Sequence, residues 1–329
     1  MKSVFVTGGT GFVGSHAVAR LLAQGWRVRA LVRKPNRTGL LPAGAERVAG
    51  EISRPESYRS ALHGVSGVLH VAGATRARTL AEYRLANAAG AGAVARTADE
   101  AAPEAMFVLV SSQSAAGPSR NGSPVREQDE PHPVSWYGIS KLEGEDAVAS
   151  ARTGPWCAVR PCVVYGPGDP GLLQLFSLIA RGIAPLPLRG RSRVQLISAD
   201  DLAGVLTACL ERRDMSGRRA FAAGPSVTTG EIVSYLSSLR RGRPISVRVP
   251  AWAIRVAAAV ESAREIVTRR PRPFNRDKAR EMLSPNWLCD AAPFLGELDI
   301  PELKDWKGGL LETLVWYLQE GWIAPTFNL

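Results

Sequence analysis

Short apolar runs alternate with helical patterns through the first half of the chain. The runs cover residues 4–6, 28–32, 68–71, 107–110 and 158–164. The segments between them are alanine-rich or carry apolar residues at helical spacing. Strands and helices in this alternation predict an α/β fold with a doubly wound parallel sheet and helices on both of its faces.

A glycine-rich turn joins the first predicted strand to the first helix. Gly8, Gly11 and Gly14 allow a tight turn and let backbone amides approach a pyrophosphate at the positive end of the helix. This context predicts a dinucleotide-binding domain of the Rossmann type. The other cofactor contacts expected from this turn are those of Thr10, Phe12 and Val13.

The end of the second predicted strand bears on which dinucleotide binds. An NAD-selective site commonly places Asp or Glu there to bond the ribose 2′-hydroxyl, whereas this chain has Arg33 and Lys34. The planar guanidinium of Arg33 suits a 2′-phosphate. We therefore predict that the protein prefers NADP(H). The alternative is NAD(H), and Arg33 and Lys34 would then be solvated loop charges.

Two further segments follow predicted strands at the edge of the sheet where an adenine and its ribose would lie. The first contains Glu51, whose carboxylate suits the adenine amino group, and Ile52. The second contains Val71, Ala72 and Gly73. Ordinary turn chemistry stays open as an alternative explanation of both segments.

A tyrosine and a lysine four residues apart form the candidate acid/base pair. Tyr137 and Lys141 fall on one face of a predicted helix. The lysine charge is expected to lower the phenol pKa, so that Tyr137 exchanges a proton with a substrate oxygen while hydride moves at the adjacent carbon. Ser112 follows the strand at 107–110 and would orient the same oxygen, although Ser111 and Ser114 compete for this assignment.

Four ordered motifs resemble those of the extended short-chain dehydrogenase/reductase family, over nearly the whole chain. They are TGGTGFVG at 7–14, SSQSAAG at 111–117, YGISK at 137–141 and RPCVVYGPGD at 160–169. Within the family the chain is similar to the branch of 3β-hydroxysteroid dehydrogenases, dihydroflavonol reductases and bacterial proteins labelled epimerase/dehydratase.

The resemblance implies a catalytic set and an assembly state. In this sequence the matching catalytic positions are Ser112, Tyr137, Lys141 and Asn87. The asparagine supports a proton relay in the family. The Lys141 ammonium can also bond the nicotinamide ribose. Family members are often homodimers, so a homodimer is expected.

The resemblance also implies that the segment from Pro161 through Val163 to Val164 borders the nicotinamide. One departure is Glu51, where many members carry aspartate. Sugar-nucleotide epimerases often show an aromatic residue and an asparagine in the segment that here reads RPCV at 160–163. The difference favours a substrate other than a nucleotide sugar.

We therefore predict an NADP(H)-dependent oxidoreductase that interconverts a secondary alcohol and a ketone on a hydrophobic, steroid-like, polycyclic or long-chain substrate. Decarboxylation would accompany oxidation if a carboxylate lay β to the carbinol. Two alternatives stay open. One is a nucleotide-sugar epimerase or dehydratase with tightly bound NAD, and the other is a non-catalytic dinucleotide-binding sensor.

Proline- and glycine-rich turns interrupt shorter elements after Gly166. Irregular segments of this kind commonly build a substrate pocket over a rigid sheet. We predict a dinucleotide-binding domain at 1–165 and a smaller, mainly substrate-binding lobe at 166–329. Segments near 193–222 are expected to return to the first domain.

The charge of the chain bears on which partners the protein attracts. The net charge is +11, and only six of the 41 basic residues are lysine. Genomic base composition explains such a bias, and so does a surface that attracts anionic ligands or membranes. The stretch near 240–280 combines twelve arginines and lysines with apolar residues such as Trp252 and Val256. It is typical of a lobe helix packed on the core or of a helix in peripheral contact with a membrane.

No nucleic-acid recognition module is recognisable, so a small-molecule substrate is the expected partner. The four cysteines and four histidines lack metal-ligand spacing, which predicts buried thiols and neither a zinc site nor disulfides. The N-terminal apolar run is too short for a secretory signal, and Arg255 interrupts the longest apolar stretch. A cytoplasmic protein is expected.

Overall fold

A computed structural model describes residues 2–34, 39–272, 274–300 and 302–328. The strands of these residues are β1 (Ser3–Thr7), β2 (Arg27–Val32), β3 (Glu46–Ala49), β4 (Gly67–His70), β5 (Met106–Val110), β6 (Trp156–Pro161), β7 (Val163–Tyr165), β8 (Ile183–Pro187), β9 (Arg193–Ser198), β10 (Arg219–Ala222), β11 (Ser226–Thr228) and β12 (Ile245–Val249).

The α-helices of the same residues are α1 (Phe12–Ala23), α2 (Arg59–Leu62), α3 (Leu80–Arg84), α4 (Gly90–Ala101), α5 (Gln113–Ala116), α6 (Trp136–Ala151), α7 (Leu173–Ala180), α8 (Ala199–Glu211), α9 (Thr229–Ser238), α10 (Ala251–Thr268), α11 (Arg276–Leu283), α12 (Ala292–Glu297) and α13 (Trp306–Gln319). A π-helical segment, Leu85–Ala89, joins α3 to α4.

Seven strands form one parallel sheet in the order β10-β6-β5-β4-β1-β2-β3. Side chains on a strand alternate between its faces, so Val4 and Val6 of β1 join one buried cluster while Phe5 joins another. The first cluster includes α1 and α8, and the second includes α4 and α6. The predicted α/β fold with a Rossmann-type sheet is confirmed.

The chain order of the strands reverses between β1 and β4. In a doubly wound sheet, the crevice outside the carboxyl ends of the strands at such a reversal is where ligands bind. Here the turn after β1 and the segments after β4 and β5 meet at that edge.

The apolar pattern misses one strand and merges two others. Strand β3 escapes detection because this edge strand leaves Glu46, Arg47 and Ala49 exposed. The run at 158–164 splits at Cys162: β6 stays in the large sheet, whereas β7 pairs with β9. Both parts are largely apolar, so the sequence pattern does not mark the crossing between sheets.

The second half of the chain builds two small sheets and returns one strand to the large one. Strands β11, β9 and β7 form one small sheet, and β12 pairs with β8 in the other. Within the predicted returning segment, β10 joins the large sheet, whereas β9 belongs to a small one. The division at residue 165 stays a prediction.

All four cysteines are buried free thiols, as expected. Among the described residues, no group of His, Cys, Asp and Glu side chains is arranged to hold a metal ion. Nor does any described helix combine the length and apolar character needed to cross a membrane.

Candidate active site

The glycine turn after β1 packs closely against the backbone of the segment that follows β4. Gly8 has a φ of +75°, and a Cβ there would lie 2.5 Å from the backbone nitrogen of Ala72. A Cβ on Gly14 would lie 2.1 Å from the carbonyl oxygen of Gly8. Both positions therefore require glycine, because any side chain would push the turn away from its neighbours.

Helix α1 begins at this turn with its first amides uncapped by any described side chain, since its N-cap residue is Gly11. Uncapped amides at the positive end of a helix attract anions, and α1 has twelve residues. The residues around it are partly exposed: Thr10 accepts a backbone bond from Leu40 at 3.3 Å, and the Phe12 ring contacts His16 edge-on. Val13 packs against the core.

Arg33 and Lys34 directly follow β2, the neighbour of β1, and both are exposed. Neither has an ion-pair partner in the part of the chain that the structure describes. Glu51 follows β3 on the same side, with its carboxylate 3.7 Å from the Arg54 guanidinium. The carbonyl of Ile52 accepts a bond from the Tyr58 hydroxyl at 3.3 Å.

The segment after β4 lies between the glycine turn and Asn87. Val71 and Ala72 are half-buried, and Gly73 is exposed. A Cβ on Gly73 would lie 2.8 Å from Oδ1 of Asn87, so a side chain here would displace the Asn87 amide.

The Asn87 side chain forms hydrogen bonds both to this segment and to α6. Its Oδ1 accepts from the amide of Ala74 at 2.7 Å, while Nδ2 donates to the Ala74 carbonyl at 3.0 Å and to the Ser140 hydroxyl at 2.9 Å. Both amide hydrogens are therefore engaged by protein atoms. Asn87 lies in the π-helical segment, a feature frequent at functional sites. Its relay role stays a prediction.

Tyr137 and Lys141 lie one turn apart near the start of α6. Burial raises the pKa of Tyr137 to about 12, while a hydrogen bond with the Ser112 hydroxyl acts in the opposite direction. The Lys141 ammonium donates to the Val110 carbonyl at 2.6 Å. The prediction that Lys141 lowers the phenol pKa is therefore wrong: the downward effect comes from Ser112, and burial outweighs it.

Lys141 itself is strongly perturbed. It is 6% exposed, and burial lowers its pKa to about 8, although the Glu145 carboxylate favours the charged form. The ammonium is still mostly protonated at neutral pH. A Cβ on Gly73 would lie 3.8 Å from Nζ, so the ammonium is next to the segment that follows β4.

The three candidate serines make different contacts in the structure. The buried Ser111 hydroxyl donates to Glu145, which is paired with Arg160 at 2.7 Å beneath the site. Ser112 is the N-cap of α5 and accepts from the amide of Ser114 at 3.1 Å. Of the three, Ser112 is the one whose hydroxyl interacts with Tyr137.

Pro161 precedes the crossing between the sheets at Cys162, and Val163 and Val164 follow it. Pro161 is buried at the end of β6, Val163 is 37% exposed, and Val164 packs against the core. They lie near the carboxyl ends of the strands, on the side of the glycine turn.

His70 ends β4 beneath the site and was not assigned a role from the sequence. Its Nδ1 is bonded to the Thr7 hydroxyl at 2.8 Å, and among the described atoms Nε2 has no partner. Burial, with a contribution from the charge of Lys141, lowers the pKa of His70 to about 3. The ring is therefore neutral and adds no charge to the site.

Two carboxylates of α11, also missed from the sequence, reach the start of α6. Asp277 accepts from the amides of Trp136 and Tyr137 at 2.6 and 3.2 Å. Glu281 accepts from the hydroxyl of Ser135, the N-cap residue, at 2.8 Å. The only sequence signal is two acids four residues apart in a basic stretch.

The fold and this site define a dinucleotide-binding enzyme with a Ser-Tyr-Lys arrangement. A profile of the NAD dependent epimerase/dehydratase family matches residues 4–224. The ceramide reductase of Caulobacter vibrioides is 34% identical over 326 residues, which cover 97% of this chain and 96% of its own. The UDP-glucose 4-epimerase of Vibrio cholerae is 28% identical over 285 residues, 82% of this chain and 85% of its own.

Among solved structures, MoeE5 in complex with UDP-glucose and NAD is similar with a TM-score of 0.77 and 22% identity, over 97% of this chain and 99% of that chain. At that identity the likeness concerns the fold alone. The chain belongs to the NAD dependent epimerase/dehydratase family, within the extended short-chain dehydrogenases/reductases. The predicted enzyme class, an NAD(P)-dependent oxidoreductase of this type, is confirmed.

Proposed function

We propose that the protein is an NADP(H)-dependent reductase that converts a ketone on a hydrophobic, long-chain substrate into a secondary alcohol. The observation that carries the proposal is the interaction of the Tyr137 phenol with the Ser112 hydroxyl next to the buried Lys141 ammonium. This arrangement provides a proton donor, an oxygen-orienting group and a cation at the sheet edge where the glycine turn lies.

The residues divide the chemistry as follows. When bound, the nicotinamide supplies the hydride that adds to the carbonyl carbon. Ser112 donates a hydrogen bond to the carbonyl oxygen and holds it next to Tyr137. Tyr137 donates its proton to that oxygen as negative charge develops. A phenol with a pKa of about 12 is protonated at neutral pH and is therefore suited to act as the acid in the reduction.

The cofactor preference is part of the proposal. Arg33 and Lys34 are exposed and lack ion-pair partners in the described chain, so their charges are available to a 2′-phosphate. The uncapped start of α1 would hold the pyrophosphate.

The substrate class is supported by the ceramide reductase relative, which matches this chain over 97% of its length. We therefore propose a ketone on a long-chain amide lipid. The aromatic surroundings of Tyr137, whose ring lies 6.0 Å from that of Tyr83, suit an apolar substrate next to the reacting carbonyl. The alternative is the epimerase reaction named for the Vibrio cholerae relative.

The test is NADPH consumption by the purified protein with the ketone that corresponds to a ceramide, compared with a steroid ketone and with UDP-glucose. Tyr137→Phe should bind NADPH with unchanged affinity and lose activity by about a thousandfold. Tyr83→Phe removes the neighbouring phenol and should retain most of the activity. Interconversion of UDP-glucose without NADPH consumption, by protein that retains NAD through purification, would instead favour the epimerase.

A further inference from the structure

Helix α10 has two apolar faces, and only one of them is buried. Ile254 and Ala258 pack against Ala279 of α11 in a small core. On the other side Trp252 is 67% exposed and Val267 82% exposed. Large apolar side chains are usually exposed singly on a monomer, so a row of them on one helix needs a partner.

The exposed apolar residues form a continuous stripe. At about 100° per residue, its members fall within roughly a third of the helix circumference. We call this surface the α10 stripe; its members are Trp252, Val256, Val260, Ile266 and Val267. Arg255 and Arg264 lie at its two borders by the same spacing, so the stripe is apolar at its centre and cationic at its margins.

Cations also line a groove beside the stripe. The groove between α10 and α11 has a volume of about 360 Å³, and its floor contains Ala258, Ala259 and Ala279. Arg255, Arg276 and Arg280 supply its guanidinium groups. Within the described chain, Arg255 and Arg276 have no ion-pair partner, while Arg280 is 3.9 Å from Asp277. The groove thus offers free donors suited to a phosphate group.

We propose that the α10 stripe docks on the surface of an anionic phospholipid bilayer, with the adjoining groove taking a lipid phosphate headgroup. An amphipathic helix with basic margins lies in the plane of such a surface with its apolar face in the headgroup region. A second copy of the chain is a poor occupant, because pairing the stripes would bring the bordering arginines of two strongly basic chains together. Charge complementarity therefore favours anionic lipid.

Vesicle flotation tests this directly, without substrate or cofactor. The full chain is mixed with vesicles of phosphatidylcholine alone or with phosphatidylglycerol added. Binding is expected only to the anionic vesicles, and it should weaken as salt is raised. Trp252→Ser combined with Val256→Ser should reduce binding by about tenfold or more, whereas Trp252→Phe should retain it.

The contribution of the groove arginines to vesicle binding is tested with a matched control elsewhere on the surface. Arg255→Gln with Arg276→Gln should weaken binding about twenty-five-fold, since each arginine near an anionic surface contributes a factor of about five. Arg47→Gln with Arg126→Gln removes the same charge from other exposed positions and should change binding by no more than about twofold.

Three results of the flotation assay would overturn the proposal: no flotation with anionic vesicles, equal losses in the two double-arginine variants, or flotation unaffected by the stripe variants. A concentration-dependent dimer that Trp252→Ser converts into a monomer would also overturn it, since the stripe would then be covered by a second copy. NADPH binding by each variant establishes that it is folded, so a negative result is informative even if the proposed reductase activity is absent.

Discussion

Loss of the Asp277 carboxylate should impair turnover more than it impairs the fold. The carboxylate is 5% exposed and accepts from the amides of Trp136 and Tyr137, the first two residues of α6. Ser135 caps the third amide, that of Gly138, at 2.9 Å. Together the two side chains satisfy three of the four amides that a helix start leaves unpaired.

The magnitude follows from what Asp277→Ala leaves behind. A lost cap costs about 1 kcal/mol, and a buried amide left without an acceptor costs about 1–3 kcal/mol. Water that enters the new space would offset part of this, so about 2–3 kcal/mol of stability should be lost. The same loss releases the backbone of Tyr137 itself. Because a displacement of about 1 Å can cost about a hundredfold in rate, we expect kcat to fall by at least about tenfold.

Steady-state kinetics, NADPH titration and thermal unfolding separate these effects. Asp277→Ala should lower kcat while the affinity for NADPH stays unchanged, because the hydrogen bonds described for the Asp277 carboxylate are to the start of α6 and not to the glycine turn. Asp277→Asn keeps one of the two acceptor oxygens and should restore part of kcat. The pH at which activity declines should shift in Asp277→Ala, since the Tyr137 phenol changes its environment.

Asp99 provides the control at the other end of the same helix. Its carboxylate accepts from the amides of Thr153 and Gly154, just after α6 ends, at 2.9 and 3.3 Å. Asp99→Ala should therefore cost comparable stability and leave kcat within about twofold. If the two variants lose the same stability and both retain wild-type kcat, Asp277 is a structural cap and the reasoning is wrong.

Three further outcomes are expected. Lys141→Met should inactivate the enzyme yet stabilise it by up to about 3 kcal/mol at neutral pH, because the fall of the Lys141 pKa from 10.5 to about 8 means that the fold disfavours the ammonium. This gain in stability, measured by denaturant unfolding, should shrink as pH rises from about 8 towards 10.5. A variant less stable than the wild type would contradict the prediction. Arg33→Ala should weaken NADPH binding by about tenfold or more and NADH binding little, whereas equal weakening would mean that Arg33 does not read the 2′-phosphate. Gly14→Ala should abolish dinucleotide binding in calorimetry, since its Cβ would lie 2.1 Å from the Gly8 carbonyl.

The sequence predicted the parts of the site that depend on local spacing. The glycine turn, the strand–helix alternation and the pairing of Tyr137 with Lys141 on one helix face are all contained within a few residues. Local periodicity also suffices for most of the sheet, since its strands are short apolar runs. It fails at β3, where exposed residues hide the strand, and at Cys162, where the apolar run continues across two sheets.

The parts that the sequence did not predict depend on contacts between distant segments. Asp277 reaches Trp136 across 141 positions, and Glu281 reaches Ser135 across 146. The ammonium of Lys141 binds a backbone carbonyl, which every residue carries, so no side-chain pattern marks Val110 as its partner. Local spacing therefore predicts that the nearest charge in the helix, Lys141, lowers the phenol pKa, whereas in the tertiary structure the downward effect comes from Ser112.

Helix α11 links the candidate active site to the proposed lipid surface, and its residues allow the two roles to be separated. Asp277 and Glu281 contact the start of α6, whereas Arg276 lines the groove beside α10. Since these side chains belong to one eight-residue helix, a displacement of α11 would affect both sites at once. Single substitutions need not do so: loss of Asp277 removes the cap on α6 and leaves the groove arginines in place, and loss of Arg276 does the reverse. Turnover and vesicle binding should therefore respond to different variants, and a variant set in which they always change together would indicate that α11 as a whole has moved.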